Sequence, residues 1–248
     1  MTAPRLLAIT PPSGPVAPAI VDAWLAAEAG DVLMVLLREP GRGPDELLDA
    51  RHRLAPLRRR CQEARIPLVL SVAREHLDAG CRALLDGRAI GLQVRGDPAP
   101  DVIAQLRAQV GDALLGRSCH GAPDPAPSPV DYTCLAPIFA PTTTQPGREK
   151  RPVGLDVLAA WAAARPEPIL ALGGIHPANA DACARRGAWG FAGIGVFFGE
   201  PERVVEDVAA LRRALPPTRA RRAHAVAKGT GGRGDRGAQG ASEEPTSR

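Results

Sequence analysis

The stretch "ILALGGIHPANADACARRGAWGFAGIGVFF", residues 169–198, decides the fold. Two glycines, Gly173 and Gly174, directly follow a short apolar run. A helical pattern opening on Pro177 comes next, and a second apolar run carrying Gly193 and Gly195 closes the stretch. The order is strand, helix, strand, with side-chain-free backbone at the end of each strand. Glycine allows close approach to the backbone, and amides at a helix start carry partial positive charge. Such a pattern predicts a phosphate cup at Gly173, Gly174, Gly193 and Gly195. The competing reading is that these glycines serve tight turns and close packing.

The same alternation extends along the chain. Short apolar runs predict strands at 6–10, 32–37, 67–72, 89–94, 113–118, 131–136, 168–173 and 191–196. Their continuous rather than alternating apolar character suits strands buried on both faces of a parallel sheet. Helical patterns occupy 22–29, 44–64, 75–86, 100–110, 155–165, 177–187 and 201–215, with Pro56 expected to interrupt the second. The segment "GAPDPAPSP", 121–129, holds four prolines and predicts a loop. Eight strands alternating with helices predict a single (β/α)8 TIM barrel over residues 1–215. An open doubly wound sheet is the competitor. The glycine clusters after strands seven and eight favour the barrel, because loops there commonly hold phosphate.

Aromatic residues make up only 3% of the chain, so the core is expected to be aliphatic. The formal charge of +4 is unevenly spread. Residues 216–248 carry seven Lys/Arg against three Asp/Glu, which leaves 24 of each sign in residues 1–215. The barrel is thus neutral overall, and nothing favours a nucleic-acid surface. The basic, Gly/Arg-rich segment 216–248 has few apolar groups to bury and is expected to be a disordered tail. Five dispersed cysteines without a CxxC pair read as reduced thiols. No apolar run is long enough to span a membrane. A soluble cytoplasmic protein is the expectation.

Several pieces resemble the thiamine phosphate synthase superfamily, which includes the TenI thiazole tautomerases. The opening stretch resembles its C-terminal part. "LLREP" (36–40) resembles the arginine-bearing motif of strand two, "GLQVRGD" (91–97) that of strand four, and "LLGRSCH" (114–120) that of strand five. "DYTCLAPIFAPTTTQ" (131–145) resembles strand six with its threonine-bearing phosphate loop. The resemblance covers roughly residues 5–213. It implies a thiamine-biosynthetic protein that binds small phosphorylated substrates at the barrel mouth: a thiazole phosphate and, in synthase-type members, a pyrimidine diphosphate whose diphosphate leaves. It further implies Arg38 as a catalytic cation, Thr142, Thr143 and Thr144 with the four glycines as phosphate ligands, and Asp97 as a carboxylate on Mg2+.

The chain departs from that pattern at definite positions. Where the family carries Asn-Asp at the end of strand three, this chain has Ser71 and Val72, and valine cannot ligate magnesium. One carboxylate, Asp97, with phosphate oxygens would hold the ion weakly. Pro40 and Gln145 stand where lysines are usual, and Pro137 where TenI has a histidine. His120 is then the candidate general base, an imidazole being suited to proton transfer near neutral pH; it could equally cap a loop. His176 reads as an exposed loop residue, and His52 and His76 as helix-surface residues. Three functions are consistent with these residues: a synthase-like transferase, a thiazole tautomerase-like isomerase, and a non-catalytic binder of a phosphorylated ligand.

Overall fold

The structure, a computed structural model, describes residues 2–124, 128–140 and 151–217. The expected tail falls almost wholly outside the described residues. Eight parallel strands close into one barrel in sequential order. They are β1 (Leu6–Ile9), β2 (Leu33–Leu37), β3 (Leu68–Val72), β4 (Gly91–Val94), β5 (Leu114–Cys119), β6 (Tyr132–Leu135), β7 (Ile169–Leu172) and β8 (Gly190–Gly193). The helices are α1 (Ile20–Ala26), α2 (Pro44–Leu47), α3 (Ala55–Glu63), α4 (Leu77–Leu85), α5 (Pro100–Val110), α6 (Gly154–Ala164), α7 (Pro177–Arg185) and α8 (Pro201–Ala214). The fold is therefore the (β/α)8 TIM barrel, not an open sheet.

Alternation along each strand sorts side chains to two faces. Leu7, Ile9, Leu36, Val69, Leu114, Tyr132, Cys134, Leu170 and Ala192 pack together inside the barrel. The intervening residues, among them Val35, Leu70, Val72, Leu92, Leu135 and Phe191, pack outward against the helices. Val72 is fully buried in that outer layer and lies against Gly80 of α4. The interior is tight. A Cβ at Gly116 would come within 2.2 Å of the Gln93 amide oxygen and 2.3 Å of the Tyr132 ring, so glycine there makes room for both.

Three local details differ from the sequence expectation. Pro56 does not kink one long helix. It falls in the first turn of α3, where its missing N–H costs nothing, and the chain between α2 and α3 is irregular. His52 lies in that irregular segment rather than on a helix, with Nε2 3.3 Å from Glu39. Strand β8 stops at Gly193, so Gly195 lies beyond it. The apolar run continues because Val196 and Phe197 turn back into the outer core, with Phe197 and Phe198 N–H groups bonded to the Ile194 carbonyl.

Between β5 and β6 the described residues form no helix, as the prolines predict. An ion-pair network packs behind this segment. Arg117 on β5, fully buried, reaches Asp124 at 2.6 Å and Glu167 at 3.4 Å, and donates to Ser128 Oγ at 3.0 Å and Thr133 Oγ1 at 3.2 Å. Arg165 lies 3.4 Å from Glu167 and 3.6 Å from Asp124; these are ion-pair distances without hydrogen-bond alignment. Both guanidiniums stand over the Trp161 ring of α6, at 5.3 and 5.6 Å, and Trp161 Nε1 donates to the Gly121 carbonyl at 2.9 Å.

Candidate functional site

The C-terminal ends of the strands carry the polar side chains that the interior excludes. Inward positions on β2 run Met34, Leu36 and then Arg38; on β4 they run Gly91, Gln93 and then Arg95; on β5 they run Gly116, Ser118 and then His120. Alternation thus delivers two arginines and a histidine to the mouth. Thr10, at the end of β1, fixes Arg38: its Oγ1 accepts from the Arg38 N–H at 2.8 Å and donates to the Arg38 carbonyl at 2.7 Å. Burial, and then the neighbouring positive charge of Arg95, pull the Arg38 guanidinium below its ordinary value. Arg95 Nε is itself buried without a hydrogen-bond partner, as are Gln93 Oε1 and Tyr132 Oη. Gln93 Nε2 donates to Ser118 Oγ at 3.0 Å.

The carboxylates nearest in sequence are committed elsewhere. Glu39 sits 2.6 Å from Arg53, whose guanidinium also bonds the Pro11 and Gly14 carbonyls and so ties down the chain after β1. Asp97, in a left-handed conformation (φ 51), gives both oxygens to His120. One accepts from the His120 backbone N–H and the other meets Nδ1, each at 2.7 Å. His120 and Asp97 therefore form a dyad, with Asp97 orienting the imidazole.

The described residues do not build a magnesium site. Val72 faces the outer wall, Asp97 is engaged with His120, and no group of three or more His, Cys, Asp or Glu is placed among them to hold a metal ion. Cys119 and Cys134 are also unsuited to attack, since burial pushes the Cys119 thiol up to about 12 and raises Cys134 as well.

Across the barrel, the double glycine has a clear local cause. Gly173 and Gly174 take φ values of +92 and +64, and a Cβ on either would strike the chain after β6. Pro137 would be met at 2.6 Å from position 173, and the Ala140 carbonyl at 2.6 Å from position 174. The Ile138 and Phe139 amides bond the Leu172 and Gly173 carbonyls across this seam. Packing therefore suffices to require these two glycines. Gly195 differs, because a Cβ there would meet nothing within 4 Å. Among the described residues, the N–H groups of Gly174, Ile175, Gly195 and Val196 make no hydrogen bond to the protein. His176 is exposed as the N-cap of α7, its N–H held by Asn179 at 3.0 Å. Thr142, Thr143 and Thr144 lie outside the described residues. A cleft of about 230 Å3 between α4 and α5 includes none of these groups.

Sequence reasoning singled out Arg38, Asp97 and His120 but passed over Arg95, Thr10 and Gln93. Arg95 was legible by the alternation that selects Arg38; the motif "GLQVRGD" drew attention to its aspartate instead.

Fold and mouth together define a (β/α)8 barrel with cationic and imidazole side chains at the C-terminal ends of its strands. The thiamine monophosphate synthase family profile matches residues 6–197, and the chain belongs to that family, placing it among proteins of thiamine biosynthesis. It is 33% identical over 192 residues to the thiamine-phosphate synthase of Laribacter hongkongensis (strain HLHK9), covering 75% of this chain and 84% of that one. Similarity to the thiamine-phosphate synthase of Chloroflexus aurantiacus is 32% over 193 residues, covering 77% and 81%. Among solved structures, thiamine phosphate pyrophosphorylase from Pyrococcus furiosus superposes with a TM-score of 0.57 at 20% identity, over 85% of this chain and 94% of that one. At that identity the likeness concerns the fold. Among the described residues no helix is long and apolar enough to cross a membrane.

Proposed function

We propose that this protein is a thiamine phosphate synthase-type transferase that seats the phosphate of a thiazole phosphate on the tips of β7 and β8. One observation carries this reading: the Gly174, Ile175, Gly195 and Val196 amides make no hydrogen bond among the described residues, where two strands end side by side. Backbone amides without acceptors are an unsatisfied donor set, and a phosphate supplies the missing oxygens. The second substrate is then a pyrimidine diphosphate, joined to the thiazole with release of its diphosphate.

The test uses Gly195→Val, since that position has open space and no positive φ. Titrated with thiazole phosphate, the variant should bind about tenfold or more weakly than wild type, while the thiazole alcohol changes little. Equal losses for both ligands would mean that the amides do not hold the phosphate. Gly174→Val is unsuitable, because it would disturb the β6–β7 seam whether or not a ligand binds there.

The His120–Asp97 dyad favours a second reading. A carboxylate on Nδ1 orients the imidazole and sets its tautomer, as proton transfer on a thiazole ring requires. Proton exchange at the thiazole ring that is lost in His120→Gln would support the isomerase over the transferase.

A further inference from the structure

Two guanidiniums share the β2–β4 side of the mouth, and among the described residues neither has a carboxylate partner. Buried charges are ordinarily paired, and buried donors ordinarily bonded. Arg38, half-buried, is held beside another cation, and Arg95 Nε is buried without an acceptor. The acidic residues next to them in sequence, Glu39 and Asp97, bond Arg53 and His120 instead. Such an arrangement stores like-charge repulsion that a multiply charged anion would relieve. The barrel order sets this side opposite the tips of β7 and β8, so it is a separate pole from the amide cluster.

We propose that Arg38 and Arg95 form a metal-independent clamp for a diphosphate, with Arg95 as an additional binding residue. Each planar guanidinium grips the oxygens of one phosphoryl group through its fork of N–H donors. The two positive charges do the neutralising work that a divalent cation would otherwise do, at a mouth whose described carboxylates build no metal site. The proposal deepens the transferase reading by assigning the leaving group to this pole.

The experiment is calorimetric titration of the full chain with inorganic pyrophosphate in EDTA, then with added magnesium. The wild-type protein should bind pyrophosphate without metal. Arg95→Gln and Arg38→Gln should each weaken binding about tenfold or more, and Arg95→Lys, which keeps the charge but loses the fork, should fall between. Melting of Arg95→Gln should occur at or above the wild-type temperature, because an unmatched cation has been removed. Binding that appears only with magnesium, or that is unchanged in Arg95→Gln, would overturn the clamp. So would an Arg95→Gln chain that no longer folds, since Arg95 would then be structural. The thiazole phosphate titration reads the opposite pole, so the two readings fail separately: Gly195→Val reports on one and Arg95→Gln on the other.

Discussion

The barrel carries two pairs of neighbouring arginines, one behind its wall and one at its mouth, and they differ in one respect. Arg117 and Arg165, behind β5–β7, are matched by Asp124 and Glu167 and face the Trp161 ring. Arg38 and Arg95, above the interior, have no carboxylate among the described residues. The first pair is matched within the chain and stands where the described residues form no helix, so its work is structural. The second pair, half-buried, has no such match among the described residues, and two adjacent unmatched cations add nothing to stability. Charge balance, more than residue type, therefore separates a binding arginine from a scaffolding one.

Mutation should divide the pairs in order of effect. Arg117→Met should cost the most, about 3 kcal/mol of unfolding free energy in urea, because it leaves buried Glu167 with only the poorly aligned Arg165 as counter-charge. A loss below about 1 kcal/mol would mean that solvent reaches the network through the partly exposed Asp124. Trp161→Phe keeps a ring under both guanidiniums but removes the bond to Gly121, and should cost about 1–2 kcal/mol in the same assay. Arg38→Met and Arg95→Met should be the mildest, within about 0.5 kcal/mol of wild type or more stable. A large loss at either would erase the distinction between the pairs.

The scaffold was legible in the sequence because parallel strands buried on both faces appear as short apolar runs. All eight observed strands overlap the expected ones, and the segment 100–110 coincides with α5. β8 was overextended because Val196 and Phe197 are as buried as strand residues although the chain has turned. The site was less legible. Arg38 and His120 follow from inward alternation, and Arg95 would have too. The Asp97–His120 contact spans 23 positions and the Arg117–Glu167 contact 50, and no local pattern couples residues so far apart. The double glycine was visible, but not its cause: the close approach of Pro137 and Ala140 belongs to the neighbouring strand's loop.

Equilibrium unfolding of wild type and of the Arg38→Met/Arg95→Met double variant, in EDTA with and without saturating pyrophosphate, shows whether the unmatched pair binds an anion. An anion that binds only the native state raises its stability by mass action. Pyrophosphate should stabilise the wild-type protein, and the double variant should start at least as stable yet gain nothing. A double variant that starts less stable than wild type and still gains as much from pyrophosphate would contradict it.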